Sequence, residues 1–162
     1  MTVPRGDRSG SGSQDSLHAP FRPRLARAVS LSFAVAVVVL TPVLAIALPT
    51  DGSNAFALPD RLGILAVGAA IVAFLWRQAS VSAVPDADGL TVRNLVFTRR
   101  LAWAEIVSVR FGSGRPWVQL DLADGDTLAV MGVQESDGAR AVDESRRLAT
   151  LVALHTQVER DS

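Results

Sequence analysis

The chain has 162 residues and no formal net charge, because its 16 basic residues balance 16 acidic ones. It contains neither cysteine nor lysine. This excludes disulfides, thiolate metal sites, a cysteine nucleophile, a Schiff-base lysine and a P-loop lysine. The zero net charge also argues against a general nucleic-acid-binding protein.

The first 24 residues are rich in glycine, serine, proline and charged side chains and show no apolar period. A segment of this composition buries too little apolar surface to offset the entropy lost on ordering. Residues 1–24 are therefore predicted to form a disordered N-terminal tail.

Two uncharged apolar runs follow, within residues 25–79. The first, 28–48, would form a helix about 31 Å long, which matches a hydrocarbon core of about 30 Å. The second, 62–78 with its flanking arginine, is shorter, and a re-entrant or interfacial helix is the alternative for it. Small residues at four-residue spacing would permit the two helices to pack closely there: Ser32, Ala36, Ala66 and Ala70.

The arginines around these runs predict the orientation of a multi-pass plasma-membrane protein. Arg22, Arg24 and Arg27 precede the first run and Arg77 follows the second, whereas Arg61 alone lies between them. By the positive-inside rule, both termini face the cytoplasm.

A cleaved signal peptide is the competing interpretation of the first run. Arginines precede an apolar stretch, and residues 55–57 (Ala-Phe-Ala) form a small-x-small cleavage pattern. The run exceeds the usual signal-peptide core of about 7–15 residues, which favours a retained span. Cleavage would instead produce an exported, outward-facing domain.

From residue 80 onward, apolar and polar residues alternate in short runs, which is typical of β-strands. Six such runs predict an antiparallel meander with a single helical turn at 103–105 and a hairpin turn at Asp124-Gly125. Residues 94–98 are interpreted as a plain connection. Trp103 is expected in the core.

A C-terminal helix over 138–159 is predicted to close this sheet. Its apolar face consists of Leu148, Leu151, Val152 and His155. The fold class is thus a two-span transmembrane helical hairpin followed by a small α+β domain, a curved sheet or open barrel with a C-terminal helix. The domain covers 80–158, and 159–162 are a tail.

Three sequence motifs stand out in the β region: 88–94 (Asp-Gly-Leu-Thr-Val-Arg-Asn), 99–106 (Arg-Arg-Leu-Ala-Trp-Ala-Glu-Ile) and 123–126 (Ala-Asp-Gly-Asp). They resemble motifs of bacterial pleckstrin-homology (PH) domain proteins of the low-molecular-weight protein antigen 6 type. A preceding pair of spans is also similar to that family. The resemblance implies a PH-like fold beside a bacterial plasma membrane.

Arg93, Arg99 and Arg100 are the candidate residues for contact with anionic lipid. Basic residues near a membrane surface are attracted to such lipids. The turn at 85–89 carries two aspartates and no base, which argues against recognition of a phosphorylated headgroup. Trp117, at a predicted strand start, is the candidate for a protein contact.

No residue pattern points to catalysis, a metal or a cofactor, because the two histidines lie apart and no nucleophilic triad can be assembled. The sequence thus predicts a noncatalytic membrane protein that presents a PH-like interaction module at the inner face of the plasma membrane. Its expected partners are the lipid bilayer and a protein, and nucleic acid is not expected. The alternatives are an anionic-lipid sensor and the exported domain.

Overall fold

The computed structural model describes residues 17–49, 56–112 and 114–160. The chain divides into two units. The helical unit comprises 24–80, and the sheet domain joins the residues before Arg24 to those from Val81 onward. In sequence, the helical unit is therefore an insertion within the sheet domain.

The helical unit consists of α1 (Arg24–Ala47) and α2 (Leu58–Ala79), both long and apolar enough to cross a membrane. Helix α2 begins four residues before the predicted span. Pro59 is tolerated there, because the first N–H groups of a helix have no partner within the helix. The Asp60 carboxylate accepts the N–H of Ala57 at 2.9 Å and so caps this helix end.

Helices α1 and α2 pack closely at Gly68. A Cβ atom at this position would lie 2.5 Å from Cγ2 of Thr41, so only glycine fits. The predicted packing residues are wrong, because all four are exposed: Ser32, Ala36, Ala66 and Ala70. Ala34 and Gly68 are buried instead. The Arg61 guanidinium also donates to the Leu48 carbonyl at 2.7 Å, which satisfies an acceptor at the end of α1.

The sheet domain has six antiparallel strands. They are β1 (Ser82–Pro85), β2 (Gly89–Arg93), β3 (Thr98–Ala102), β4 (Ile106–Arg110), β5 (Trp117–Leu122) and β6 (Thr127–Gln134). They form two three-stranded sheets, β1-β2-β3 and β4-β5-β6, rather than one continuous meander. The single turn of 3₁₀ helix predicted at Trp103–Glu105 is present and separates them.

Helix α3 (Ala139–Arg160) packs on the sheets, so the predicted α+β architecture is confirmed. Three residues of the predicted apolar face are fully or nearly fully buried: Leu148, Leu151 and Val152. The helix continues to Arg160, one residue beyond the predicted helix end at Glu159. Residues 161–162 lie outside the described residues.

Trp103 is a core residue, as predicted, with 4% of its surface exposed. Its indole N–H donates to the Asp86 carbonyl at 3.1 Å. The ring stacks on His155 with centroids 4.4 Å apart. The 3₁₀ turn is thereby fixed both to the turn after β1 and to helix α3.

The predicted disordered tail, 1–24, is wrong at its C-terminal end. Phe21 is fully buried in the core, and its N–H and carbonyl pair with the carbonyl and N–H of Ala83 at 2.8 and 3.0 Å. The Arg147 guanidinium lies 3.9 Å above the Phe21 ring. One large aromatic residue orders this segment, although its average composition is that of a linker. Residues 1–16 lie outside the described residues.

Candidate functional site

Two of the three candidate arginines are neutralised by ion pairs. Arg99 lies 3.3 Å from Asp124, and Arg100 lies 3.2 Å from Asp86 and 3.6 Å from Asp88. These pairs are exposed to solvent, which screens the charges, so each contributes little to stability. They nevertheless compete with any anionic ligand for the two guanidinium groups.

The sheet register separates the three arginines. Arg93 is opposite Thr98, and Val92 is opposite Arg99. Because neighbouring residues of a strand point to opposite faces, Arg93 shares a face with Arg100, and Arg99 lies on the other. Arg93 is exposed and, among the described residues, makes no ion pair. The arrangement is therefore not one basic cluster.

An exposed apolar turn joins β2 to β3, and we call residues 94–97 the apolar tip. Val96 is 81% exposed and Phe97 is 49% exposed. The sequence pattern predicts only a connection for this segment. Three consecutive apolar residues at a place where turns are normally polar were the signal that could have revealed it.

Asn94 fixes the base of the apolar tip. Its side chain is buried and donates to the Ala129 carbonyl at 2.7 Å, while its Oδ1 accepts the N–H of Met131 at 3.2 Å. Its own N–H donates to the Phe97 carbonyl at 2.9 Å and closes the turn. The tip is therefore tied to β6 and is not a loose loop.

The apolar tip lies at one particular end of the first sheet. Ser82, the first residue of β1, is opposite Arg93, the last residue of β2 before the tip. Phe21 pairs with Ala83 in the antiparallel sense, so the chain that follows Phe21 runs toward this same end. The acidic turn at 86–88 lies at the opposite end.

Two aspartates in and beside β5 of the second sheet have lowered pKa values, which favours their charged form. The Ser108 hydroxyl and the Arg110 guanidinium both donate to Asp121 and lower its pKa. The N–H of Asp126 donates to the carboxylate of Asp124 at 2.9 Å and lowers the pKa of Asp124. Both carboxylates thus accept hydrogen bonds from fixed partners. This arrangement stabilises the local fold and does not favour a role in proton transfer.

Trp117 begins β5, is half-buried and is opposite Gln134 of β6. Its predicted contact with a protein stays a prediction. Within the ranges 17–49, 56–112 and 114–160, no group of three or more His, Asp or Glu side chains is placed to hold a metal ion.

The two three-stranded antiparallel sheets and the closing helix are consistent with a PH-like domain. Residues 82–150 match the bacterial PH domain family. The sheet domain is thus PH-like, a fold class whose members are generally noncatalytic interaction modules. The narrower resemblance to the antigen 6 type stays a prediction.

Uncharacterized proteins of Mycobacterium bovis and of two strains of Mycobacterium tuberculosis are similar to the chain. Each is 31% identical over 100 residues, which cover 62% of this chain and 65% of the relative. The match therefore spans just under two thirds of those proteins. No solved structure matches.

Proposed function

We propose that the protein is a noncatalytic, two-span membrane protein that presents a PH-like interaction module at the cytoplasmic face of the plasma membrane. The observation that carries the proposal is the main-chain pairing of Phe21 with Ala83. It joins residues on both sides of the helical unit into one folded domain.

The exposed surface of the helical unit supports a lipid environment. Val35 is 64% exposed, Ile46 is 76% exposed and Trp76 is 65% exposed. In water, continuous apolar surface on two helices of this length would drive aggregation, whereas lipid chains solvate it. A core helix of a soluble protein would bury these side chains.

The Phe21–Ala83 pairing constrains the topology. Phe21 precedes α1 and Ala83 follows α2, and the two residues can pair only if they lie on the same side of the membrane. The helical unit must therefore cross the bilayer an even number of times, which two antiparallel spans satisfy. A single span with a separate surface helix would place these residues on opposite sides.

The same pairing argues against a cleaved signal peptide. Cleavage near residues 55–57 would release Phe21 from the chain that carries Ala83. The sheet domain would then lose a fully buried aromatic residue from its core. An exported domain produced in this way would have an unfilled cavity beside β1.

The arginine distribution favours a cytoplasmic sheet domain. Arg22, Arg24, Arg27 and Arg77 flank the two spans on the domain side. Arg61 is on the opposite side, where its guanidinium donates a hydrogen bond to the Leu48 carbonyl after α1. By the positive-inside rule, four arginines against one favour the cytoplasm for the domain side.

Recognition of anionic lipid by Arg93, Arg99 and Arg100 is the second candidate, and the ion pairs disfavour it. Arg99 and Arg100 already face carboxylates, and Arg99 lies on a different face from the other two. A noncatalytic interaction module therefore fits the sheet domain better than a headgroup sensor does.

Cysteine accessibility tests this topology directly, because the chain has no cysteine of its own. Phe56→Cys places a thiol in the connection between the spans, and Asp126→Cys places one in the sheet domain. In intact cells, a membrane-impermeant maleimide should label position 56 and not position 126. Both positions should react once the membrane is permeabilised.

Labelling of position 126 in intact cells would contradict the cytoplasmic placement. A mature chain that starts beyond residue 57 would contradict the two-span topology. Mass spectrometry of the purified protein measures this second property.

A further inference from the structure

We propose that the apolar tip inserts into the headgroup region of the bilayer and docks the sheet domain against the membrane. The occupant of this surface is thus the lipid bilayer itself, not a single headgroup in a pocket. The proposal rests on the proposed function, since it requires the helical unit to span the membrane.

The chemistry of the tip suits the interface between water and hydrocarbon. Val96 and Phe97 are adjacent, exposed and at the outermost point of a hairpin. Apolar and aromatic side chains gain free energy when they enter the headgroup and acyl boundary. In water, the same pair would remain hydrated at the most exposed point of the first sheet.

The position of the tip follows from the chain connections. Two residues, Ser80 and Val81, separate the end of α2 from Ser82, so these two elements are at most about 11 Å apart along the chain. Helix α1 starts at Arg24, three residues after Phe21. If the helices span the membrane, both connections hold this end of the first sheet at the bilayer surface. The register places the tip at this same end.

The charged residues of the first sheet favour the same orientation of the sheet toward the membrane. Arg93, at the base of the tip, is exposed and can face anionic headgroups. Asp86 and Asp88 lie at the far end, where they pair with Arg100. An anionic surface attracts the tip end and repels the acidic end, so the charges favour the orientation that the chain connections impose.

The tip is also preorganised. Asn94 ties its base to Ala129 and Met131 of β6, and the turn is closed by the hydrogen bond to the Phe97 carbonyl. Insertion therefore requires little additional ordering of the backbone, which lowers the entropic cost of docking.

A protein or a second copy of the chain is the rival occupant. The short connections favour the bilayer, because they would keep this end of the sheet close to lipid if the helices span the membrane. A protein that covered the tip would have to fit between the sheet domain and the membrane surface.

Depth-dependent quenching of a fluorophore tests the proposal on the full chain in vesicles of phosphatidylcholine and phosphatidylglycerol. Three single-cysteine variants, Val96→Cys, Asp88→Cys and Val35→Cys, carry an environment-sensitive fluorophore. Position 88 is the matched control, since it lies on an exposed turn about 17 Å away along β2. Position 35, in the middle of α1, reports whether the helical unit spans the bilayer.

We expect the fluorophore at position 96 to shift to shorter wavelength and to lose intensity with lipids that carry a nitroxide near the headgroup. The fluorophore at position 88 should show neither change. The fluorophore at position 35 should be quenched most by nitroxides deep in the acyl chains.

Quenching at position 35 without quenching at position 96 would overturn the docking proposal and leave the two-span topology intact. Equal quenching at positions 96 and 88 would also overturn docking through the tip. A blue shift at position 96 without lipid quenching would assign the tip to a protein contact. Absence of quenching at all three positions would overturn the proposed function as well.

Discussion

The helical unit and the sheet domain use apolar residues in opposite ways. In α1, Val35 and Ile46 remain more than half exposed, whereas Leu90 and Leu148 of the sheet domain are completely buried. The sheet domain buries most of its large apolar side chains within its own fold, and the apolar tip is an exception. The helical unit leaves much of its apolar surface exposed, which is consistent with the proposed lipid environment. Apolar content alone thus indicates which residues avoid water, but not what covers them.

Two phenylalanines show the same contrast within the sheet domain. Phe21 comes from the segment before the inserted helices, yet it is completely buried and pairs with β1. Phe97 lies inside the PH-like region, yet it is half-exposed at the apolar tip. A fragment limited to residues 80–162 would lack the first of these and would have an incomplete core.

The largest expected effect comes from removing the buried phenylalanine. Phe21→Ala should lower the free energy of unfolding of the sheet domain by about 3–5 kcal/mol, because it leaves a cavity and removes the ring beneath Arg147. Urea unfolding of the full chain, reconstituted in lipid nanodiscs, measures this difference.

Phe97→Ala is the matched control and should change the free energy of unfolding by no more than about 0.5 kcal/mol. Equal losses for the two variants would mean that the segment before α1 is not part of the folded domain. Burial would then not distinguish the contributions of Phe21 and Phe97 to stability.

A smaller effect is expected at the contact between the two helices. Gly68→Ala should destabilise the helical unit by about 1–3 kcal/mol, because its Cβ atom would collide with the stiff, β-branched side chain of Thr41. Denaturation of the reconstituted chain by sodium dodecyl sulfate measures the change.

Gly63→Ala provides the control on the same helix, since no atom lies within 4 Å of the Cβ position there. Alanine should be tolerated or slightly stabilising at this site, by up to about 1 kcal/mol. A loss at position 63 as large as at position 68 would show that the close approach of α1 and α2 does not limit stability.

The smallest effect concerns pH and the exposed carboxylate of Asp121. Its pKa is lowered in the folded state, so its contribution to stability is present above the usual aspartate value of 3.8 and is lost as the pH falls below it. Asp121→Asn should therefore lower the melting temperature slightly at pH 7, and this difference should shrink as the pH falls below 3.8.

Ser108→Ala removes the hydroxyl that donates to Asp121 and should reduce the same pH dependence in part. A difference between wild type and Asp121→Asn that persists unchanged at pH 3 would show that charge is not the cause. Calorimetry of the reconstituted chain over this pH range gives the comparison.

The sequence predicted the elements well wherever a local pattern was strong. A long uninterrupted apolar run predicts a long helix without any knowledge of what packs against it. Alternation of apolar and polar residues predicts a strand, because the side chains of a strand alternate between two faces. The helical turn at Trp103–Glu105 and the apolar face of α3 were predicted correctly for the same reason.

The candidate site was predicted less well, because its properties depend on residues far apart in sequence. Arg99 is paired with Asp124 of the other sheet, and Arg100 with Asp86 and Asp88 of the preceding turn. No local pattern predicts which carboxylate lies beside which guanidinium. The three arginines appeared to form a cluster only because they are close in sequence.

The sequence by itself determined that this protein has two long apolar helices and a small α+β domain with PH-like motifs, since both follow from local patterns. The tertiary structure alone decided that Phe21 completes the domain across the inserted helices and that the apolar tip lies at the same end of the first sheet as both connections. The physical reason is that strand pairing and core packing join residues by distance in space, whereas composition and periodicity report only neighbours along the chain.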